Sequence, residues 1–251
     1  MERTVVPFSL VEHKQYDEAA PHAIAGGIWW VGFVDGGTGI SHNPFLLVDN
    51  DEAVLINPGS CAKEHHQTVY QKVTSLVAPE QIRHIVVHHH DPDRCAAVPL
   101  FEKLAGRQVR IYAPNEVATS IAHYGCTGPI IGLDGGDSII LKSGRTLDYV
   151  ATPHLPFAGS GFLYDPLTRT IFSGAILGCV PGPWNLFAAP NAWEMLGPCG
   201  PDVWGSKKAL LYALNKIERL GPERICPHHG PIIDENIDQY IAAARRLGPE
   251  K

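Results

Sequence analysis

One stretch of this chain restricts its fold more than any other: Ile82–Val87 (IRHIVV) runs without a turn residue into His88-His89-His90-Asp91-Pro92-Asp93-Arg94. A β-branched run of this kind reads as a strand buried on both faces, so the chain must build a sheet covered above and below. The strand also has to end in a cluster of ligand-type side chains. Alternation puts His89 and Asp91 on one side, while the turn at Pro92 brings Asp93 back toward the same place. Imidazole and carboxylates meeting at a strand end suit a divalent transition metal, although a polar loop would have the same composition. Two further strand ends favour the metal. His154 follows a β-like run (LDYVATPH), and His229 sits in PHHG after the short strand Arg224–Cys226. Three separated histidine-bearing strand ends are what a site along one edge of a sandwich needs.

Periodicity supplies the other elements. Ile28–Val34, Pro44–Val48 and Ala53–Ile56 read as strands, and Val69, Val73, Leu76 and Val77 mark one face of a helix over 62–77. Pro99–Leu104 and Pro114–His123 read as helices around a strand at Arg110–Tyr112. Strands follow at Ser138–Leu141, Thr146–Thr152, Gly161–Tyr164 and Thr170–Phe172. Ser206 caps a helix with the face Leu210, Leu211, Leu214 and Ile217 that ends at Gly221, and a last helix starts near Asp234. Residues 181–205 read as a long loop. No linker divides the 251 residues, so a single domain over 1–251, with two similar halves, is expected. Twenty-six acidic against twenty basic residues give a net charge of −6, which offers no field for nucleic acid. The apolar stretch 23–34 is too short for a membrane span, and the N-terminus does not read as a secretory signal. Six cysteines without a CxxC pair suit a reducing compartment, so the expected location is cytoplasmic.

The motifs resemble those of the metallo-β-lactamase superfamily, and within it the flavodiiron and oxygen-binding diiron proteins. NPFLLVDNDEAVLINPGS at 43–60 is similar to the first hairpin and its Asp-x-Gly turn, and HHDPDR at 89–94 to the His-x-Glu/Asp-x-Asp-His ligand motif. TPHLPFAGSGFLYDPLTRTIFSGAILG at 152–178 resembles the stretch with the next histidine and the metal-bridging Asp, and ICPHHGPII at 225–233 resembles the last ligand turn. Asp91, where hydrolytic members have His, points to the iron branch. The resemblance implies a four-layer αββα sandwich of the α/β class. It assigns His89, Asp91 and His154 to a first metal, and Asp93 and His229 to a second.

Three positions depart from the pattern: Arg94 replaces the motif's final His, Ala175 the bridging Asp, and Asn57 the Asp of the hairpin turn. The first set still supplies the two imidazoles and one carboxylate that hold non-haem Fe(II) with open positions. The second set keeps two ligands. A single tightly held metal is therefore expected, with the Arg94 guanidinium in the place of the second cation and paired to Asp93. In the alternative, His90 or His228 completes a two-metal site. Other residues have plainer readings: His88 and His90 face away from His89, His42 belongs to a surface loop, and His65 and His66 are solvated. Trp184, Trp193 and Trp204 roof the pocket or anchor a core or homodimer interface, and Cys179 is a buried thiol.

Three functions compete. The first is an iron protein, with one or two Fe per chain, that binds, senses or reduces O2 or NO. The chain ends about twenty residues after His229, so no flavodoxin domain and no flavin are expected, and reduction would need a separate electron-transfer protein. The second is a zinc hydrolase acting on a small molecule; Asp91 and the missing bridge oppose it. The third is a non-catalytic binding descendant, which the three departures together favour.

Overall fold

Two β-sheets face each other through Trp30, Phe45, Leu47, Ile56, Leu163 and Phe172, all buried. The computed structural model describes residues 16–106, 109–178, 185–189, 191–196 and 206–247. In its first half, β1 (His22–Ala25), β2 (Ile28–Trp30), β3 (Phe33–Val34), β4 (Ser41–His42), β5 (Phe45–Asp49) and β6 (Glu52–Ile56) precede α1 (Lys63–Leu76). Then come β7 (Ile82–Val86), the short α2 (Pro92–Cys95), α3 (Val98–Ala105), β8 (Arg110–Pro114), α4 (Asn115–Ile121) and β9 (Ile130–Leu133). The second half has β10 (Ser138–Ile140), β11 (Thr146–Ala151), β12 (Gly161–Asp165), β13 (Thr170–Gly174), α5 (Lys207–Leu220), β14 (Arg224–Pro227) and α6 (Ile237–Arg246).

The first sheet has the order β1-β2-β5-β6-β7-β8-β9 and the second β10-β11-β12-β13-β14. Helices α1, α3 and α4 cover the outer face of the first sheet with Val69, Val73, Phe101 and Val117. On the second, α5 and α6 do so with Leu210, Leu214, Ile217, Tyr240 and Ile241. The layers are therefore α, β, β, α, the sandwich that the motifs imply. Pairing turns parallel at β6–β7, β7–β8 and β8–β9 in one sheet and at β13–β14 in the other. Parallel strands present their C-terminal ends along a common edge, where open α/β sheets place their ligands.

Helix α5 follows its expected signals: the Ser206 hydroxyl accepts from the Ala209 amide at 3.4 Å, and Gly221 closes the helix at φ 55°. The strand expected over 28–34 breaks in two. A Cβ on Gly32 would fall 2.1 Å from the His42 carbonyl oxygen, so the backbone passes here too closely for any side chain. Within the expected loop 181–205, Ala192–Leu196 forms a 3-10 turn, and Phe187 bridges to Ile232. Trp193 packs edge-on to Tyr240 at 6.0 Å, in the layer of α6. Trp184, Trp204 and Cys179 lie outside the described residues. Among the described residues, no helix is long and apolar enough to cross a membrane.

A buried ion pair ties the sheets together. Arg145 Nη2 and Nε donate to Asp165 at 2.6 and 3.1 Å, and Nη1 reaches the Gly26 carbonyl at 3.0 Å in the β1–β2 turn. Asp165 is fully buried and also accepts from the Leu167 amide and the Thr168 hydroxyl. Replacing Asp165 with Ala strands the guanidinium and is expected to cost about 3–5 kcal/mol, read from urea unfolding. A cost within experimental error contradicts the assignment.

Candidate metal centre

The central strand β7 runs into the histidine cluster as the sequence implies, but the expected convergence of His89, Asp91 and Asp93 does not occur, because Asp93 joins His42, His228 and His229 while His89 and Asp91 stay with His90. Beyond β7, Val87 N–H donates to the Tyr112 carbonyl at 2.9 Å, and His88 N–H to Asn57 Oδ1 at 2.9 Å. Asn57 has φ 50°, a left-handed conformation that Asn tolerates better than most residues. The chain then turns into α2, where the Asp91 carbonyl accepts from the amides of Arg94 and Cys95. Tyr124 Oη donates to the His90 carbonyl at 2.7 Å and holds the loop from behind.

From the second sheet, β14 runs into Pro227-His228-His229-Gly230, and the buried amide of Asn43 leads the contacts that clip this turn to the first half. Asn43 Nδ2 donates to the carbonyls of Pro227 and Gly230 at 2.9 and 2.7 Å, and its Oδ1 accepts from Trp30 Nε1 at 2.9 Å. Ser41 adds its hydroxyl, which accepts from Gly230 N–H at 2.8 Å.

Four ligand-type residues converge here: His42, Asp93, His228 and His229. Asp93 Oδ2 lies 3.1 Å from His229 Nε2 and 3.7 Å from both His42 Nδ1 and His228 Nε2. The edge of a tetrahedron with metal–ligand bonds of 2.1 Å is about 3.4 Å, so these separations suit donors around a shared cation. His229 Nδ1 sits 2.8 Å from the Ser41 carbonyl, which can only accept. Its Nε2 therefore faces the carboxylate either as a second N–H or as a lone pair given to a cation. A backbone carbonyl on the far nitrogen is the usual orienting partner of a metal-bound imidazole. Among the described residues, His42 Nδ1 and both ring nitrogens of the fully buried His228 side chain are buried without a hydrogen-bond partner. This donor set fits a divalent transition metal.

A second group contains His89, His90 and Asp91. His89 Nδ1 lies 2.9 Å from Asp91 Oδ2, and the rings of His89 and His90 stack at 4.5 Å. His90 thus lies beside His89, contrary to the expectation that it faces away, because the chain leaves strand geometry after Val86. His154 joins neither group. It is exposed in a left-handed turn (φ 66°), and its N–H donates to the Phe157 carbonyl. That turn lays the Phe157 ring edge-on to His89 at 4.1 Å. The expected set of His89, Asp91 and His154 is not brought together.

Three other expectations are corrected. His42 is drawn into the centre because β4 pairs with β3, opposite Phe33, and its ring stacks on Phe33 at 5.0 Å. His65 and His66 are half-buried against Phe33 and Phe101. Arg94 is buried and its charge acts attractively on Asp93 and Asp91, but no ion pair within 4.0 Å joins it to Asp93 among the described residues, and Asp93 Oδ2 faces the imidazoles instead. Ala175 follows Gly174, whose carbonyl accepts from His228 N–H at 2.8 Å. Sequence reasoning undervalued His42 and His228. The only available signal for His42 was its place before Asn43-Pro44 at the hairpin entrance.

A family model described as "ODP family beta lactamase" matches residues 40–230. The chain belongs to the ODP beta-lactamase family. The apo chemotaxis sensor ODP from T. denticola is 21% identical, with a TM-score of 0.74, covering 91% of this chain and 93% of that one. A flavo di-iron protein variant from Thermotoga maritima gives a TM-score of 0.77 at 21% identity, over 87% of this chain and 58% of that one. The diflavin flavoprotein A 1 of Synechocystis sp. is 23% identical over 81% of this chain and 36% of its own length. The chain thus spans well under half of the diflavin flavoproteins it matches.

Burial pushes the pKa of His42 down to about 4, helped by His229 and opposed by Asp93. Burial and then the Arg94 charge push His88 down to about 3. Both lie below the unfolded imidazole near 6.5, so the unfolded metal-free chain binds the extra protons. Stability is then full above pH ~6.5 and is lost as the pH falls toward 4. Urea midpoints of the metal-free protein are expected to be lower at pH 5 than at pH 7.5; equal midpoints contradict this. Replacing Asn43 with Leu leaves the Trp30 indole and two carbonyls without their partner. It is expected to cost at least about 3 kcal/mol, at roughly 1–3 for each of three buried groups, and to weaken metal retention in the same variant.

Proposed function

We propose that this ODP-family chain holds one divalent transition metal, iron by analogy with its relatives, at His42, Asp93, His228 and His229. It would present that metal to a diatomic ligand, O2 or NO. The observation that carries this reading is the convergence of three imidazoles, two of them with buried unpartnered nitrogens, on the single Asp93 carboxylate. Ferrous iron in such a set supplies open positions for a small ligand. The chain's own residues orient it. Ser41 fixes the His229 tautomer, Asn43 holds the His228–His229 turn, and Asn57 holds His88 beside the centre. Ala175 offers no bridge to a second ion, and Phe157 lies against His89, so the group of His89, His90 and Asp91 is the weaker site.

The diflavin and flavo di-iron names of the relatives suggest reduction, and the chemotaxis-sensor title suggests sensing. Reduction by this chain would draw electrons from a partner or from a region outside the matched segment.

The test is anaerobic loading with Fe(II), desalting, and metal counting by mass spectrometry, followed by optical and EPR spectra on adding NO or O2. One retained ion per chain and new bands with NO are expected. Replacing His42 or His228 with Ala should lower metal affinity by more than about 10–100-fold, the loss that removing a mere supporting partner of a ligand causes, whereas His154→Ala leaves it unchanged. Two tightly retained irons, or loss in the His154 variant alone, would overturn the reading. Zinc retention with turnover of a thioester would favour the hydrolase.

A further inference from the structure

The loop that joins β11 to β12 carries the histidine that the motif resemblance assigns as a ligand, yet it turns a phenyl ring toward the ligand-type residues beyond β7. Three hydrogen bonds fix the backbone at Phe157. Its N–H donates to Ser160 Oγ at 3.0 Å, and its carbonyl accepts from the amides of His154 and Ser160 at 2.7 and 3.1 Å. Leu155 anchors the same loop in the buried core under α5 and α6. His154 is left exposed at φ 66°, and Phe157 packs half-buried against the first half of the chain. The ring fits because residue 159 is a glycine: a Cβ there would fall 3.0 Å from Phe157 Cε2 and 2.8 Å from Glu116 Cβ on α4.

The ring stands across two imidazoles at once. Its centroid is 4.1 Å from that of His89 and 5.6 Å from that of His90, at interplanar angles of 81° and 89°. The first spacing is shorter than the usual 4.5–7 Å or so of aromatic pairs, so the two rings touch and neither water nor an ion fits between them. Among the described residues, the group offers three donors, His89, His90 and Asp91. A cation on three protein donors takes its remaining ligand from water or substrate. A phenyl ring supplies no lone pair and holds water off.

We propose that Phe157 sets how many ions the chain holds. It is an apolar stopper that excludes a divalent transition cation from His89, His90 and Asp91, and its removal opens a second site there. The inference rests on the single-ion reading above for the number it starts from; the position of the ring does not.

The experiment loads the full chain anaerobically with Fe(II) and, separately, with Zn(II), desalts it and counts retained ions in wild type and in Phe157→Ala, Phe157→His and Phe157→Leu. One more ion per chain than in wild type is expected for Phe157→Ala and for Phe157→His, which exchanges the phenyl for a donor ring. None is expected for Phe157→Leu, which keeps the apolar bulk. The extra ion should disappear when His89→Ala is added to Phe157→Ala and persist when His42→Ala is added instead. A second measurement needs no metal: acylation of His89 by diethyl pyrocarbonate in the metal-free chain, located by peptide mass spectrometry, should rise several-fold in Phe157→Ala. The stopper is overturned by a count unchanged in both Phe157→Ala and Phe157→His, by an extra ion that also enters Phe157→Leu or survives His89→Ala, or by equal acylation of His89. The wild-type count alone tests the single-ion reading, and the difference between variant and wild type tests the stopper, so the two fail separately.

Discussion

The meeting of the two sheets at the centre depends most on the side chain of Asn43. It is a buried amide that belongs to the first half of the chain, yet two of its three side-chain hydrogen bonds go to the turn after β14, 184 and 187 residues away. Polar groups at such a junction must be satisfied or the junction opens. Asn43 satisfies the carbonyls of Pro227 and Gly230 and the Trp30 indole together. The amide thereby fixes His228 and His229 against Ser41 and His42. Asp93 arrives independently from β7 and α2, and it meets the imidazoles because both sheets end along the same edge.

Much of this was legible in the sequence because it is written in local patterns. Val69 and Val73 mark the inner face of α1, Ser206 and Gly221 bracket α5, and the β-branched run of β7 points to a covered sheet. The layer order followed from the motifs. The ligand shell was less legible because it depends on pairing between distant segments. His42 has the composition of a loop residue, and only its pairing opposite Phe33 carries it inward. His154 occupies the motif position of a ligand, yet the left-handed turn at that residue sends its ring outward and Phe157 inward. Periodicity contains no information about either event.

The departures from the family pattern form a set. Asn57 in place of Asp gives a neutral acceptor to His88. Arg94 in place of His adds a fixed positive charge, and Ala175 in place of Asp removes a negative one. Relative to the family pattern, all three changes move the centre toward positive charge. A site that gains positive charge from its own side chains attracts a second cation less strongly.

The clip at Asn43 also has a kinetic consequence. His42, Asp93 and His229 come together only when chain segments nearly two hundred residues apart have docked, so their meeting is a late, high-contact-order event. A cation held by them cannot be captured by either half alone. Its capture would mark the end of folding, and its departure would require the two halves to part at that edge.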